Sequence, residues 1–202
     1  MSKIAVDAVL LPSDEMMDKA IEAGKKLSGI SISRILLSKE NCLPHISLAM
    51  GVIDEQDLPL INEDLQQIAI EVQEIKLSAI NISTHKTASG ETVSSFEIKK
   101  TGELQLFHEK VMKKLSRYFT YDAVGKMLLV PEGVKKTTLE WINNYRKNSS
   151  FEKFSPHITI GFGKADNAGL PVQFTASRLA LCHLANHCTC RKILASALIS
   201  GE

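Results

Sequence analysis

The sequence has almost no net charge: 24 Lys+Arg stand against 23 Asp+Glu in 202 residues, leaving +1. That balance excludes a long electrostatic track for duplex nucleic acid, an acidic tail and a polybasic anchor. There is no run of the roughly 18 to 20 apolar residues that a membrane helix needs. The first apolar stretch, Ile4 to Leu11, contains Asp7 and lacks a small-residue cleavage site, so it reads as a strand and not as a secretion signal. A Gly-rich phosphate loop of the Walker or dinucleotide kind is missing, which argues against ATP-driven or NAD chemistry and leaves no cofactor expected. Four cysteines without an export signal fit reduced thiols in a cytoplasmic compartment. With 44% hydrophobic residues the chain can bury a core, so disorder is excluded and a single domain over 1–202, or two fused lobes, is expected.

The charges that are present are unevenly spread. Residues 1–98 carry −7, residues 99–153 carry +6 and residues 154–202 carry +2. Much of the positive charge belongs to one candidate helix face, Lys110, Lys113 and Arg117 with Lys114 beside it. A solvated face accounts for such a run better than a guide for RNA does.

Periodicity outlines the elements. Lys3–Leu11 reads as a strand, followed by a helix capped by Ser13 or Asp14 and running to about Ser28. Leu58, Ile61, Leu65, Ile68, Val72 and Ile75 recur at intervals of three and four, predicting a long helix. Further helices are expected at 102–119 and 134–147, the latter with Val134, Thr138, Trp141, Ile142 and Tyr145 inward. Strands are expected at 33–37, 45–53, 76–83, 92–99 and 156–162, with a closing hairpin of 174–184 and 188–199. Several adjacent strands are joined by short polar turns, which favours antiparallel sheet flanked by helices.

One short repeat carries chemistry. Pro44-His45-Ile46-Ser47-Leu48-Ala49-Met50-Gly51 returns 112 residues later as Pro156-His157-Ile158-Thr159-Ile160-Gly161-Phe162-Gly163. Both copies read as strands, in which residues two apart share a face. Each copy therefore presents an imidazole beside a hydroxyl: His45 with Ser47, and His157 with Thr159. Two such strands facing each other supply a proton acceptor, a proton donor and two hydroxyls for anionic oxygens. That set suits in-line displacement at a phosphodiester.

Two His-Φ-Ser/Thr-Φ motifs (Φ apolar), one early and one late, resemble those of the two-histidine (2H) phosphoesterase superfamily. That group includes the 2′-5′ RNA ligase-like proteins and cyclic nucleotide phosphodiesterases. The resemblance implies an α+β fold, bilobal and pseudo-twofold, with two antiparallel β-sheets lining a central groove and helices packed outside. It implies metal-independent cleavage of a 2′,3′-cyclic phosphate or a 2′,5′ linkage, with His45 and His157 as catalytic residues and Ser47 and Thr159 binding phosphate. The expected partner is a small nucleotide or an RNA terminus, with no duplex DNA and no membrane, handled by a monomer. Where RNA ligase-like members are expected to carry an Arg after the second motif, this chain has Gly161-Phe162-Gly163 and then Lys164. A nucleotide or RNA-end binding module, and end joining by the reverse reaction, stay open beside hydrolysis.

Other constellations carry less. Cys182, His183, His187, Cys188 and Cys190 crowd one hairpin, but a strand points Cys182 and His183 to opposite faces and the spacing fits no common zinc finger. No metal ligation is expected from them. Arg191 or Lys192 on the last strand could reach a phosphate, and Phe162 and Phe174 are the guesses for a base-stacking aromatic. Cys42 has no pattern of a nucleophile. His85, in a polar loop, and His108, on a helix, are expected at the surface.

Overall fold

The computed structural model describes residues 2–27, 35–87, 90–130, 132–167 and 169–199. Among them lie seven strands: β1 (Lys3–Pro12), β2 (Ile46–Asp54), β3 (Ile75–Lys86), β4 (Thr92–Ile98), β5 (His157–Phe162), β6 (Val172–Ala185) and β7 (Thr189–Leu198). The helices are α1 (Asp14–Leu27), α2 (Leu58–Ile70), α3 (Gly102–Leu115) and α4 (Lys136–Asn148). Every strand pairing is antiparallel, in the order β2-β1-β6-β3-β4-β5, with β7 also on β6. The α+β antiparallel architecture is the one expected.

β6 explains how two sheets become one ladder. Its first residues, Val172 to Ala176, pair with β3, while Ala176 to His183 pair with β1 and Arg178 to Ala185 with β7. One arm is therefore β2-β1-β6-β7 and the other is β6-β3-β4-β5, with β6 shared. β1 is buried from Ile4 to Pro12, the reason its sequence reads as a near-continuous apolar run instead of clean alternation.

The arms repeat in detail. On β1 and β2, Ala8 faces Ala49 but Val9 faces Ser47, so Leu48 is skipped. On β4 and β5, Ser94 faces Gly161 but Ser95 faces Thr159, so Ile160 is skipped. A β-bulge thus sits one residue after each motif hydroxyl, the kind of irregularity that re-aims side chains beside a site.

The helices hold these strands in place. α1 begins with Asp14 and Glu15 and ends with Lys25 and Lys26, complementing its dipole. It packs on β5 so closely that a Cβ at Gly24 would stand 3.1 Å from the Ile160 carbonyl oxygen. α3 is capped by Thr101, whose Oγ1 accepts from Leu104 N–H at 3.2 Å. Among the described residues no helix is long and apolar enough to cross a membrane.

Some expected boundaries shift. α2 stops at Ile70, because the chain turns at Glu71 and Val72, and Ile75 enters β3 opposite Ala176, fully buried. Its helix-like spacing is met by an inward strand position. α3 ends at Leu115, and Thr120 instead bridges to Val52. Trp141 is 51% exposed, since the inward face of α4 is the narrow stripe Thr138, Ile142 and Tyr145. Of the strand expected at 33–37, residues 33 and 34 lie outside the described residues, and 35–37 are not in a strand.

Candidate active site

The repeated proline is the first clue to how each histidine is held. Pro44 and Pro156 fix one backbone torsion and keep the preceding residue extended. In both copies the carbonyl two residues before the histidine meets the ring: Leu43 O lies 2.6 Å from His45 Nδ1, and Ser155 O lies 2.9 Å from His157 Nδ1. A carbonyl only accepts, so each Nδ1 carries the hydrogen and each neutral ring leaves Nε2 as the basic atom.

Burial sets the charge state. Desolvation pushes His45 down to about 4, opposed by the Leu43 carbonyl and reinforced by the charge of His157. His157 is also lowered, again mainly by burial, with Ser155 opposing and His85 reinforcing. The charge of His157 bears on His45, and burial favours the neutral form of both rings. An anion seated between them favours the protonated form of one, which is the pairing an acid–base couple needs.

The hydroxyls are not equivalent. Ser47 Oγ donates to Asp7 Oδ2 at 2.6 Å, and that same oxygen lies 4.0 Å from His45 Nε2. Asp7 is fully buried in β1, and burial holds its carboxyl well above the ordinary range; Ser47 and, more weakly, the Ala49 backbone pull the other way. On the other arm Asp7 has no counterpart: Asp7 faces Met50, and the corresponding partner of Phe162 is Val93. Thr159 instead faces Ser95, and Ser95 faces Ser83 across β3, a row of three hydroxyls on one face. Ser95 is 1% exposed and its Oγ has no hydrogen-bond partner. His157 heads the next row, facing Glu97, which in turn faces Asn81.

Asp7 and the serine row were missed by sequence reasoning. A lone acid inside an apolar strand was the available signal for Asp7. Ser95 offered none, because only the register of β4 on β5 brings it beside Thr159.

The remaining candidates are placed elsewhere. Lys114 and Arg117 pair with Asp64, Lys110 with Glu71 and Lys113 with Glu109, so the basic face of α3 is balanced by acids. Phe162 and Phe174 are 5% and 8% exposed, which removes both as open stacking platforms; Phe162 instead meets His187 edge-on at 4.9 Å. Arg191 donates to Thr189 Oγ1 on its own strand. Cys42 is buried and its thiol is raised by desolvation, the opposite of an activated nucleophile. His108 is not at the surface: it is fully buried, stacked on Phe154 with centroids 4.0 Å apart, and accepts from Phe151 N–H. Packing of α3 against the turn at Phe151–Lys153 encloses it. His85 is exposed as expected, though on β3 and not in a loop. The surface hollow lined by Lys76, Ser78, Lys99 and Gln173 contains no motif residue.

An antiparallel α+β fold with two matching His-hydroxyl strands is thus the class that architecture and site define. No protein-family model and no curated protein matches the sequence. Solved structures match the fold. TT0787 of Thermus thermophilus is similar at 15% identity and TM-score 0.60, covering 98% of this chain and 100% of that one. E. coli LigT complexed with NADP+ is similar at 12% identity and TM-score 0.53, covering 99% of each chain. A structure described as a phosphoesterase is similar at 10% identity and TM-score 0.50, covering 98% of this chain and 99% of that one. The chain shares the fold of these three structures over nearly its whole length.

Proposed function

We propose that this protein is a phosphoric diester hydrolase of the 2H type, acting without metal or cofactor on a 2′,3′-cyclic phosphate or 2′,5′ linkage of a nucleotide or RNA end. The observation that carries this reading is the identical seating of His45 and His157, each with Nδ1–H on the carbonyl two residues back and Nε2 left for proton transfer. The fold likeness to E. coli LigT, solved with NADP+, supports a nucleotide ligand.

For a 2′,3′-cyclic phosphate, one neutral Nε2 takes a proton from the attacking water as its oxygen bonds to phosphorus. The bond from phosphorus to the 3′ oxygen breaks, and the other imidazole, protonated beside the bound anion, delivers its proton to that oxygen. The product is a 2′-phosphate with a free 3′ hydroxyl. Thr159 makes no side-chain hydrogen bond among the described residues, so its hydroxyl is available for a non-bridging oxygen. Ser47 would have to leave Asp7 to do the same.

The test is a screen, in the presence of chelator, over 2′,3′-cyclic mononucleotides, RNA ending in a cyclic phosphate, and 2′,5′-linked oligoadenylate. Wild type is run beside the His45→Ala, His157→Ala double variant. Turnover confined to wild type supports the proposal. Tight binding of a cyclic phosphate without turnover would turn the reading to a binding module.

A further inference from the structure

Asp7, His45 and Cys190 come from three strands or strand edges that are remote in sequence, yet their ligand atoms all lie within 4.8 Å of one another. We propose that these three side chains form a binding site for one divalent transition-metal ion of the zinc class, and that the ion switches the enzyme off by occupying His45.

The donor set is one oxygen, one imidazole nitrogen and one thiolate, which selects zinc or cobalt over magnesium or calcium. Bond lengths of about 2.0–2.3 Å put tetrahedral ligand atoms roughly 3.3–3.6 Å apart. His45 Nε2 and Asp7 Oδ2 are 4.0 Å apart, so closure needs less than an ångström there. The second oxygen, Asp7 Oδ1, is buried without a hydrogen-bond partner, a cost that a coordinated ion removes. Asp7 and Cys190 are both fully buried. Burial holds both the Asp7 carboxyl and the Cys190 thiol above their ordinary ranges, so an incoming ion displaces their protons and neutralises the two charges this leaves.

The surroundings are arranged as metal sites arrange them. The hydrogen bond from His45 Nδ1–H to Leu43 O fixes the tautomer that aims a lone pair from Nε2. Leu43 N–H donates to the Cys190 carbonyl at 3.0 Å, tying the segment that carries His45 to the strand that carries the thiol. Ser47 donates to Asp7 Oδ2 at 2.6 Å and so fixes the orientation of the carboxyl group. The crowded hairpin does not itself make this site: His183 Nε2 meets Met127 O, and His187 meets Phe162. Only Cys190 of that group joins, through partners the hairpin sequence does not contain.

Inhibition rests on the proposed role of His45 Nε2, whereas binding does not. The experiment therefore reads both. Chelator-stripped protein is titrated with Co2+, and the expected result is a sulfur-to-cobalt charge-transfer band with tetrahedral d–d absorption, saturating at one ion per chain and lost when Zn2+ is added. Cys190→Ser abolishes the charge-transfer band, and Asp7→Asn weakens binding at least tenfold, while His157→Ala, on the other arm, keeps the band. Loss of a residue that merely orients a ligand costs about 10–100-fold in affinity, so loss of a ligand itself is expected to cost no less. A band that survives Cys190→Ser, or that fails to form in folded wild type, overturns the site. In turnover, one equivalent of Zn2+ abolishes wild-type activity, chelator restores it, and Cys190→Ser is active and resistant. Wild type that binds zinc yet keeps full activity overturns the switch. If no phosphodiester is turned over, the proposed function fails and the cobalt spectrum still decides the metal site.

Discussion

The two arms share what holds a histidine and differ in what lies beneath the hydroxyl. Each has the proline, the carbonyl contact to Nδ1, the apolar residue turned inward and the bulge after the hydroxyl. The first arm places a buried carboxyl under Ser47, while the second places Val93 at the corresponding position and a serine row beside Thr159. The repeated features are those that acid–base chemistry needs twice. The unrepeated ones make the half-sites unequal, so their variants are expected to behave differently.

The largest effect expected is shared by both arms. His45→Ala and His157→Ala should each lower kcat/KM by about 10²–10⁴-fold, the contribution of one positioned acid or base. Initial rates in chelator measure this. Unequal losses would say that the arms do not contribute a comparable proton transfer.

The hydroxyls should separate stability from activity. Ser47→Ala leaves a buried carboxyl without its donor and should cost about 1–3 kcal/mol in urea unfolding. Thr159→Ala removes a hydroxyl with no side-chain partner among the described residues and should leave unfolding within about 0.5 kcal/mol of wild type. Both should lower turnover, Thr159→Ala by roughly 10- to 100-fold if its hydroxyl meets an anionic oxygen. Equal unfolding midpoints for the two variants would erase the asymmetry.

The pH dependence follows from burial. A general base works above its pKa and a general acid below its own. Both imidazoles are shifted down, so the bell of kcat/KM should be centred on the acid side of pH 6.5. The smallest effect is on stability. His45 and the fully buried His108 are held at about 4, below the unfolded value. As pH falls from about 6.5 toward 4, the unfolded chain binds protons that the folded chain refuses, so stability is lost over that window. Thermal unfolding at about pH 7.5 and pH 5 should show a Tm lower at the acid end by a few degrees.

How much was legible in the sequence depends on range. The motif strands, the four helices and the closing hairpin are local patterns and form about where expected, although α2 and α3 end early and Trp141 turns outward. The role of Asp7 was not legible, because a strand buried on both faces carries no alternation to show which neighbour a side chain meets, and Ser47 is 40 residues away. His108 reads as a surface residue on a charged helix, but Phe154 stacks on its ring and the turn at Phe151–Lys153 packs back on α3. Ile75 continues a helical rhythm that ends at Ile70, since an inward strand position satisfies the same apolar demand.

The central claim is that two identically seated imidazoles share one reaction. It is tested most directly by kcat/KM of wild type, His45→Ala and His157→Ala against pH on one 2′,3′-cyclic mononucleotide in chelator. The account predicts a bell for wild type and the loss of one limb in each variant, a different limb for each. A variant that keeps full turnover, or two variants that lose the same limb, would contradict it.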